Sequence, residues 1–294
     1  MTPSDQPRHG RNISAEFLAD RAKFVRKETV RLSKIAGAGH YSSTFSAAEL
    51  FAALFYAHLR INPAEPKWPD RDRFVLSKGH AAIGLYPVLG DLGFFDPALL
   101  DEYTRFGSPF GDHPDMKKVT GIDFSSGSLG HGLSVALGMA LSARVNGQSH
   151  RVYAMLGDGE LAEGQIWEAA MAAGHFGLQG LVAIVDRNFL CIDGTTEEVM
   201  AVEPLEARFE SFGWQAQRID GHDFDAILAA LDGLQPAGKG RPQAIIADTV
   251  KGRGVKMMEG ALNWHVGNLS ETDYATVMAE LDEGLRPATW SPPQ

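Results

Sequence analysis

Two side chains define the chemistry open to this sequence. Asp158 stands in Gly157-Asp158-Gly159, and Asn188 follows thirty residues on. One offers a carboxylate oxygen and the other an amide oxygen, and hard oxygens are what Mg²⁺ and Ca²⁺ bind. Each residue ends an apolar run. Arg151–Leu156 is β-branched and apolar and leads straight into the GDG turn, and Leu181–Val185 leads into Asp186-Arg187-Asn188. Gly164–Ala173 between them reads as a helix. This strand–turn–helix–strand unit sets two oxygen ligands at the ends of parallel strands, beside a helix N-terminus. That suits a small divalent cation bound to a diphosphate. An Asp-Gly pair alone is a turn signal, and Asp193-Gly194 and Asp220-Gly221 need no metal. The flanking strands and the Asn at this spacing distinguish Asp158.

The elements that must position these groups alternate along the chain. Ser14–Ala36 is amphipathic, with Leu18, Ala22, Val25, Leu32 and Ile35 at helical spacing and Gly37 as a stop. Ser46-Ala-Ala-Glu49 reads as a capping box opening a helix with Leu50, Phe51, Leu54 and Phe55. Arg73–Ser77 reads as a strand, and Asp96-Pro97 as a helix start. Residues 106–128 are loop-like. A helix follows from Leu129, with small Ala136, Gly138 and Ala140 open to a close neighbour. Later come helices near 203–212 and 223–233, strands at 214–219 and 243–250, a linker over 235–242, a glycine-rich loop over 251–268 and a last helix over 270–283. The pattern predicts an α/β fold, a doubly wound, mainly parallel sheet with helices on both faces. Ligands of such sheets bind at the carboxyl ends of the strands. Residues 1–11 read as a loose tail and 12–294 as one domain.

Bulk properties narrow the partners. The 294 residues are 44% hydrophobic and 22% charged, ordinary for a globular protein. A net charge of −10 with no basic run argues against nucleic acid, so bound anions must be met locally. The polar start is no signal peptide, and no apolar run approaches the ~20 residues of a membrane span. The single cysteine, Cys191, cannot form an internal disulfide, which points to the cytoplasm, and it reads as a packed small residue.

The GDG–Asn spacing resembles the signature of thiamin-diphosphate enzymes. Further segments resemble their transketolase branch, in order. Gly39-His40 is similar to the family's Ser-Gly-His-Pro-Gly turn. Arg73-Phe-Val-Leu-Ser-Lys-Gly-His80 is similar to Arg-Phe-Val-Leu-Ser-x-Gly-His. Asp112-His113-Pro114 with Gly127-Ser128-Leu129-Gly130 resembles Gly-His-Pro with Gly-Pro-Leu-Gly. Thr249-Val-Lys-Gly-Arg-Gly254 with Trp264-His265 resembles the last active-site loop. Each motif alone is weak; five in order, from about Arg21 to about His265, are strong. The resemblance implies thiamin diphosphate held with Mg²⁺, or Ca²⁺ or Mn²⁺ in its place. The implied metal ligands are Asp158, Asn188 and the Leu190 carbonyl. It implies cofactor contacts from His40, His80, Gly127, Leu129, Gly157, Asp158, Gly159, Asn188, Leu190 and His265. It implies catalytic roles for His40, His80, His113, Glu163 and His265, with His113 facing sugar hydroxyls. Glu163 would sit where two active sites meet and share a proton across a dimer; the plain alternative is an exposed first-turn glutamate favoured by the helix dipole. His9, His58, His150, His175 and His222 read as satisfied interior or surface residues.

The match has departures. Tyr41-Ser42 follows His40, Ser128 replaces a proline, His131 stands where Gln is usual, Arg187 precedes Asn188, and Val266 interrupts Trp-His-Gly. No segment resembles the family's pyrimidine-binding domain. The expectation is therefore the N-terminal, diphosphate-binding subunit of a split transketolase. A separate C-terminal subunit would supply the pyrimidine site, in a heterotetramer of two plus two acting on sugars or sugar phosphates. The competing readings are a subunit of another thiamin-diphosphate enzyme that decarboxylates 2-oxo acids, and a non-catalytic regulatory homologue. A dinucleotide-binding protein fits less well, because Gly37-Ala-Gly39 lacks a third glycine and follows a helix pattern.

Overall fold

The computed structural model describes residues 13–291, so the tail expected over 1–11, with His9, lies outside it. Helix α1 (Ala15–Ala36) opens where Ser14 accepts a hydrogen bond from the Phe17 N–H at 3.2 Å. It ends at Gly37, whose φ of +77° disfavours any side chain. Leu18, Ala22, Val25 and Leu32 form its buried stripe, as the spacing predicts, together with Arg26 and Thr29.

Two short helices follow, α2 (Ser42–Ser46) and α3 (Ala48–Ala52), running on into a π turn over Ala53–His58. The capping box expected at Ser46–Glu49 does not form. Ser46 closes α2 and turns its hydroxyl to the Asp186 carboxylate at 2.6 Å. Glu49 is drawn inward by two 2.7 Å bonds from Arg26. A buried guanidinium binds a carboxylate more strongly than a helix-end N–H does.

The chain then alternates: β1 (Arg73–Leu76), α4 (Ala82–Leu92), α5 (His131–Val145), β2 (Val152–Gly157), α6 (Gly164–Phe176), β3 (Leu181–Arg187), α7 (Thr196–Met200), α8 (Leu205–Ser211), β4 (Gln215–Asp220), α9 (Phe224–Asp232), β5 (Gln243–Asp248) and α10 (Glu271–Glu283). The helix expected after Asp96 is a 3-10 turn, Pro97–Glu102, capped by Asp96 accepting from the Ala98 N–H. Helices α4 and α7 add to the elements read from the sequence. Of the small residues in α5, Ala136 and Ala140 are buried, but Gly138 is exposed and nothing approaches it.

The five strands of the described residues form one sheet in the order β1-β2-β3-β5-β4, with every pair parallel. Side chains alternate between its faces. Tyr153, Met155, Val182 and Ile184 pack on one side with Phe51, Tyr86 and Ile245. Ala154, Leu156, Ala183 and Val185 pack on the other with Leu133, Ile166 and Trp214. Burial on both faces explains why the central strands read as continuous apolar runs. Because all strands are parallel, all their carboxyl ends share one edge. A third cluster joins Val30, Tyr41 and Phe45 to Val255, Met258, Val277 and Leu281. It fixes α10 and the 251–268 loop beside that same edge.

Candidate active site

The loops leaving β1, β2, β3 and β5 enclose a cavity of about 350 Å³. It gathers Asp158, Asn188, Leu190, His40, His80, His113 and His265, with Gly127, Leu129, Gly157 and Gly159 also in its wall. Glu163 stands apart: it precedes α6, is exposed, and lies outside the cavity wall.

Asp158 is 1% exposed. Its Oδ1 accepts from the Gly159 N–H at 2.8 Å, and its Oδ2 from the Phe189 N–H at 2.5 Å and from Arg187 Nη1 at 3.0 Å. Burial pushes the carboxyl above its ordinary value, with Arg187 opposing. Asn188 Oδ1 accepts from the Leu190 N–H at 3.2 Å, while Nδ2 reaches Asp186 at 3.4 Å. The Leu190 carbonyl faces Lys251 Nζ at 2.9 Å. Among the described residues no group of three or more His, Cys, Asp or Glu could hold a metal. A cation here would rest on the mixed set of carboxylate, amide and backbone oxygens. That donor set fits a hard ion completed by phosphate and water. Asp158 Oδ1 and Asn188 Oδ1 each keep a second lone pair for it.

The floor beneath is a buried ion pair. Lys78 Nζ contacts the Asp186 carboxylate and donates to the Ser43 carbonyl at 2.8 Å. Asp186 also accepts from Ser46 Oγ at 2.6 Å and Thr249 Oγ1 at 2.5 Å. Burial works against its ionisation, but the Lys78 ammonium and these hydrogen bonds outweigh that and hold the carboxyl below its usual range.

Three imidazoles form a triangle over this floor. Ring centres of His40 and His80 are 5.4 Å apart, His80 and His265 5.3 Å, and His40 and His265 5.5 Å. His113 stands 6.2 Å from His40. Asp112 joins the pair: Oδ1 lies 3.3 Å from His40 Nδ1 and Oδ2 3.6 Å from His113 Nδ1. Burial, with Lys251, His40 and Lys78 near by, pushes His265 down to about 3. Burial and the Lys78 charge likewise push His80 well below its ordinary value. Both rings are therefore neutral near pH 7, each with one N–H donor and one lone pair. His265 Nδ1 and Ser43 Oγ are buried in the wall without a hydrogen-bond partner. Such atoms suit a polar ligand.

Several residues were missed by reading the sequence. Lys78 and Lys251 both lie inside motifs quoted above, at positions given no role. Burial pushes Lys251 down to about 8, Asp158 opposing. Glu160, also given no role, is buried in the cavity wall: it accepts from the Gly130 N–H at 2.8 Å, the Gly157 N–H at 3.0 Å and the Ser77 hydroxyl. It ties the Gly127–Leu129 segment to the GDG turn, and burial raises its carboxyl above the ordinary range. Arg187 is also buried, bonded to Asp158, Thr196 and Glu203, with its guanidinium 4.1 Å from the Phe189 ring centre. Cys191 is not packed inside; it is part-exposed in the cavity wall. Ile192, Val199 and Met200, 62%, 48% and 61% exposed, form an apolar lip. His58, His150, His175 and His222 stay out of the cavity wall.

Comparison with known proteins points the same way. Residues 19–289 match the family described as "Transketolase, thiamine diphosphate binding domain". The chain is 42% identical over 266 residues to a 6-deoxy-6-sulfo-D-fructose transketolase subunit from Clostridium sp. strain MSTE9, covering 90% of this chain and 96% of that protein. It is 40% identical over 273 residues to an apulose-4-phosphate transketolase subunit from Phocaeicola vulgatus, covering 93% and 96%. The transketolase structure from Campylobacter jejuni superposes with a TM-score of 0.86 at 29% identity, covering 92% of this chain but 43% of that one.

Proposed function

The chain belongs to the transketolase family through its thiamine diphosphate binding domain, and from that premise we propose that it is the N-terminal subunit of a split transketolase. It spans nearly the whole length of relatives named as subunits, yet less than half of a solved transketolase. We read residues 12–294 as one cofactor-binding domain, working in the cytoplasm. A second polypeptide supplies the pyrimidine site, in a complex of two plus two. Together they move a two-carbon ketol unit from a ketose to an aldose, each free or phosphorylated.

The observation that carries this reading is the triangle of His40, His80 and His265 gathered with Asp158 and Asn188 in the wall of one cavity. Asp158, Asn188 and the Leu190 carbonyl would hold Mg²⁺. Gly157, Gly159, Gly127 and Leu129 would bring backbone close to the cofactor. Bound thiamin diphosphate supplies the carbanion chemistry. The chain's own part is to hold and move protons. His265 and His80, neutral at pH 7, can donate to or accept from substrate oxygens, and His113, beside His40 at the more open side, meets sugar hydroxyls. Glu163 would meet a second copy or the partner subunit, a reading that its exposure before α6 supports.

The test is ketol transfer by this chain with and without the protein that co-purifies with it. Full activity from the chain alone would end the split-enzyme reading, and decarboxylation of a 2-oxo acid without ketol transfer would favour the other thiamin-enzyme class. Asp158→Ala should abolish Mg²⁺-dependent binding of thiamin diphosphate in the complex; undiminished binding would remove Asp158 as a ligand.

A further inference from the structure

Beyond β5 one sheet bond remains, the Thr249 N–H donating to the Arg187 carbonyl of β3 at 2.9 Å, and after it the backbone runs out of sheet partners. The neighbouring strand β4 ends at Asp220, opposite Asp248, and its last help is the Gly221 N–H donating to the Asp248 carbonyl at 2.7 Å. The Val250 N–H, two residues on, donates instead to a side chain, His222 Nε2, at 2.8 Å. An imidazole nitrogen that accepts carries no proton, so the proton of His222 resides on Nδ1. That atom faces Glu49 Oε2 at 2.9 Å. Glu49 is wholly buried and gripped by Arg26 through two 2.7 Å bonds. Burial opposes its ionisation, but Arg26 and His222 carry the carboxyl down to about 2. A permanent buried anion thus fixes the His222 tautomer and ring orientation.

The turn that presents His222 is built against the same segment. The His222 N–H donates to Asp220 Oδ1 at 2.8 Å. Gly221 passes so close to β5 that a Cβ there would lie 2.5 Å from Thr249 Cγ2 and 3.0 Å from the Asp248 carbonyl oxygen. Only glycine lets the two backbones approach this far.

Both neighbours of Val250 reach the site. Thr249 Oγ1 donates to Asp186 at 2.5 Å, and Lys251 Nζ donates to the carbonyls of Leu190 at 2.9 Å and Cys191 at 3.2 Å. We infer that His222 is a positioning residue for this site, setting the seat of Thr249–Lys251, and through it the Lys251 ammonium, by the bond it accepts from Val250. The role rests on the proposed cofactor site. His222 never touches the cavity itself, so it acts only through the backbone it holds.

The experiment compares the wild-type chain with His222→Ala, His222→Gln and Gly221→Ala, each in complex with the partner subunit. Two readouts are taken: amide hydrogen exchange at Val250, and titration with thiamin diphosphate and Mg²⁺. Loss of one backbone bond predicts Val250 exchange about ten-fold faster and binding about ten-fold weaker in His222→Ala. Gln offers one donor and one acceptor at nearly the imidazole spacing, so it restores most of both. Gly221→Ala keeps the ring but displaces the turn, and weakens binding even if His222→Ala does not fold. The inference falls if His222→Ala or Gly221→Ala folds and binds like wild type, if Val250 protection is unchanged, or if a folded His222→Gln is no better than Ala. A wild-type complex that binds no thiamin diphosphate would overturn the cofactor reading instead, and the Val250 exchange would then decide the positioning alone.

Discussion

Replacing Lys78 by Met isolates the charge balance beneath the site. Met keeps the length and apolar stem of Lys78 but removes the ammonium from Asp186, which is 0% exposed. Breaking a buried pair by removing one partner costs about 3–5 kcal/mol, because the remaining charge is left in low dielectric. Asp186 would still accept from Ser46 and Thr249, so the lower end, about 3 kcal/mol, is expected at pH 8. The sign of the pH dependence is diagnostic. In the wild type the Asp186 carboxyl is held below its unfolded value. Its stabilisation is present above the unfolded pKa and is lost as pH falls through the folded one. In Lys78→Met burial acts without the ammonium, so the carboxyl rises above the unfolded value. The penalty is then absent in acid, where the group is neutral in both states, and grows as pH rises through the unfolded pKa. Denaturant unfolding of both proteins from pH 4 to 8 measures this. A stability difference near zero at pH 8, or one that does not change across the range, would refute the ion-pair reasoning.

Two further outcomes are specific. His265, held down to about 3, has a folded pKa below its unfolded one, so stability is full above the unfolded value and falls as pH drops toward 3; His265→Asn should flatten that part of the acid unfolding profile, and an unchanged profile would show the ring to be free of this burial. Glu160→Ala frees the Gly130 and Gly157 N–H groups and the Ser77 hydroxyl together, so binding of thiamin diphosphate should weaken by about ten-fold or more while Glu160→Gln, which keeps one acceptor, loses less.

The sheet and most of its helices were legible because their burial is periodic. Central strands covered on both faces read as apolar runs, and α1, α9 and α10 show caps and stripes. Helix α4 was not legible for a physical reason: it is buried on nearly every side and carries Pro87, so it has neither an apolar stripe nor a clean helical composition. The capping box at Ser46 misled because local pattern cannot register that Arg26, some twenty residues earlier, claims Glu49. In the site, motif residues with known side-chain chemistry were found, and those acting by holding others were not. Glu160 looked like any turn glutamate beside Glu163, and only the fold shows it accepting from three elements. Lys78 and Lys251 lay inside recognised motifs, yet their spacing gives no hint that each reaches a partner more than sixty residues away along the chain, in Asp186 and Leu190 respectively.

The charge of the whole chain and the charge of the site pull in opposite directions. At −10 the protein repels anions at long range, so a diphosphate gains nothing from its general field. What the site offers is local and fixed: Lys78 and Lys251 in the cavity wall and Arg187 beside Asp158 are each about 1% exposed, and each is set against a carboxylate or carbonyl. The two acidic groups they face, Asp158 and Asp186, respond differently. Asp186 is paired with Lys78 and lies below its ordinary pKa; at Asp158 burial outweighs Arg187, and the carboxyl lies above it. Asp158, beyond the end of β2 and near the Asn188 amide oxygen beyond β3, is hydrogen-bonded yet still disfavoured as an anion by burial, so a cation bound there would offset that cost. That balance supports the proposal that Asp158 anchors a metal carrying a diphosphate, while Asp186, paired with Lys78, braces the floor.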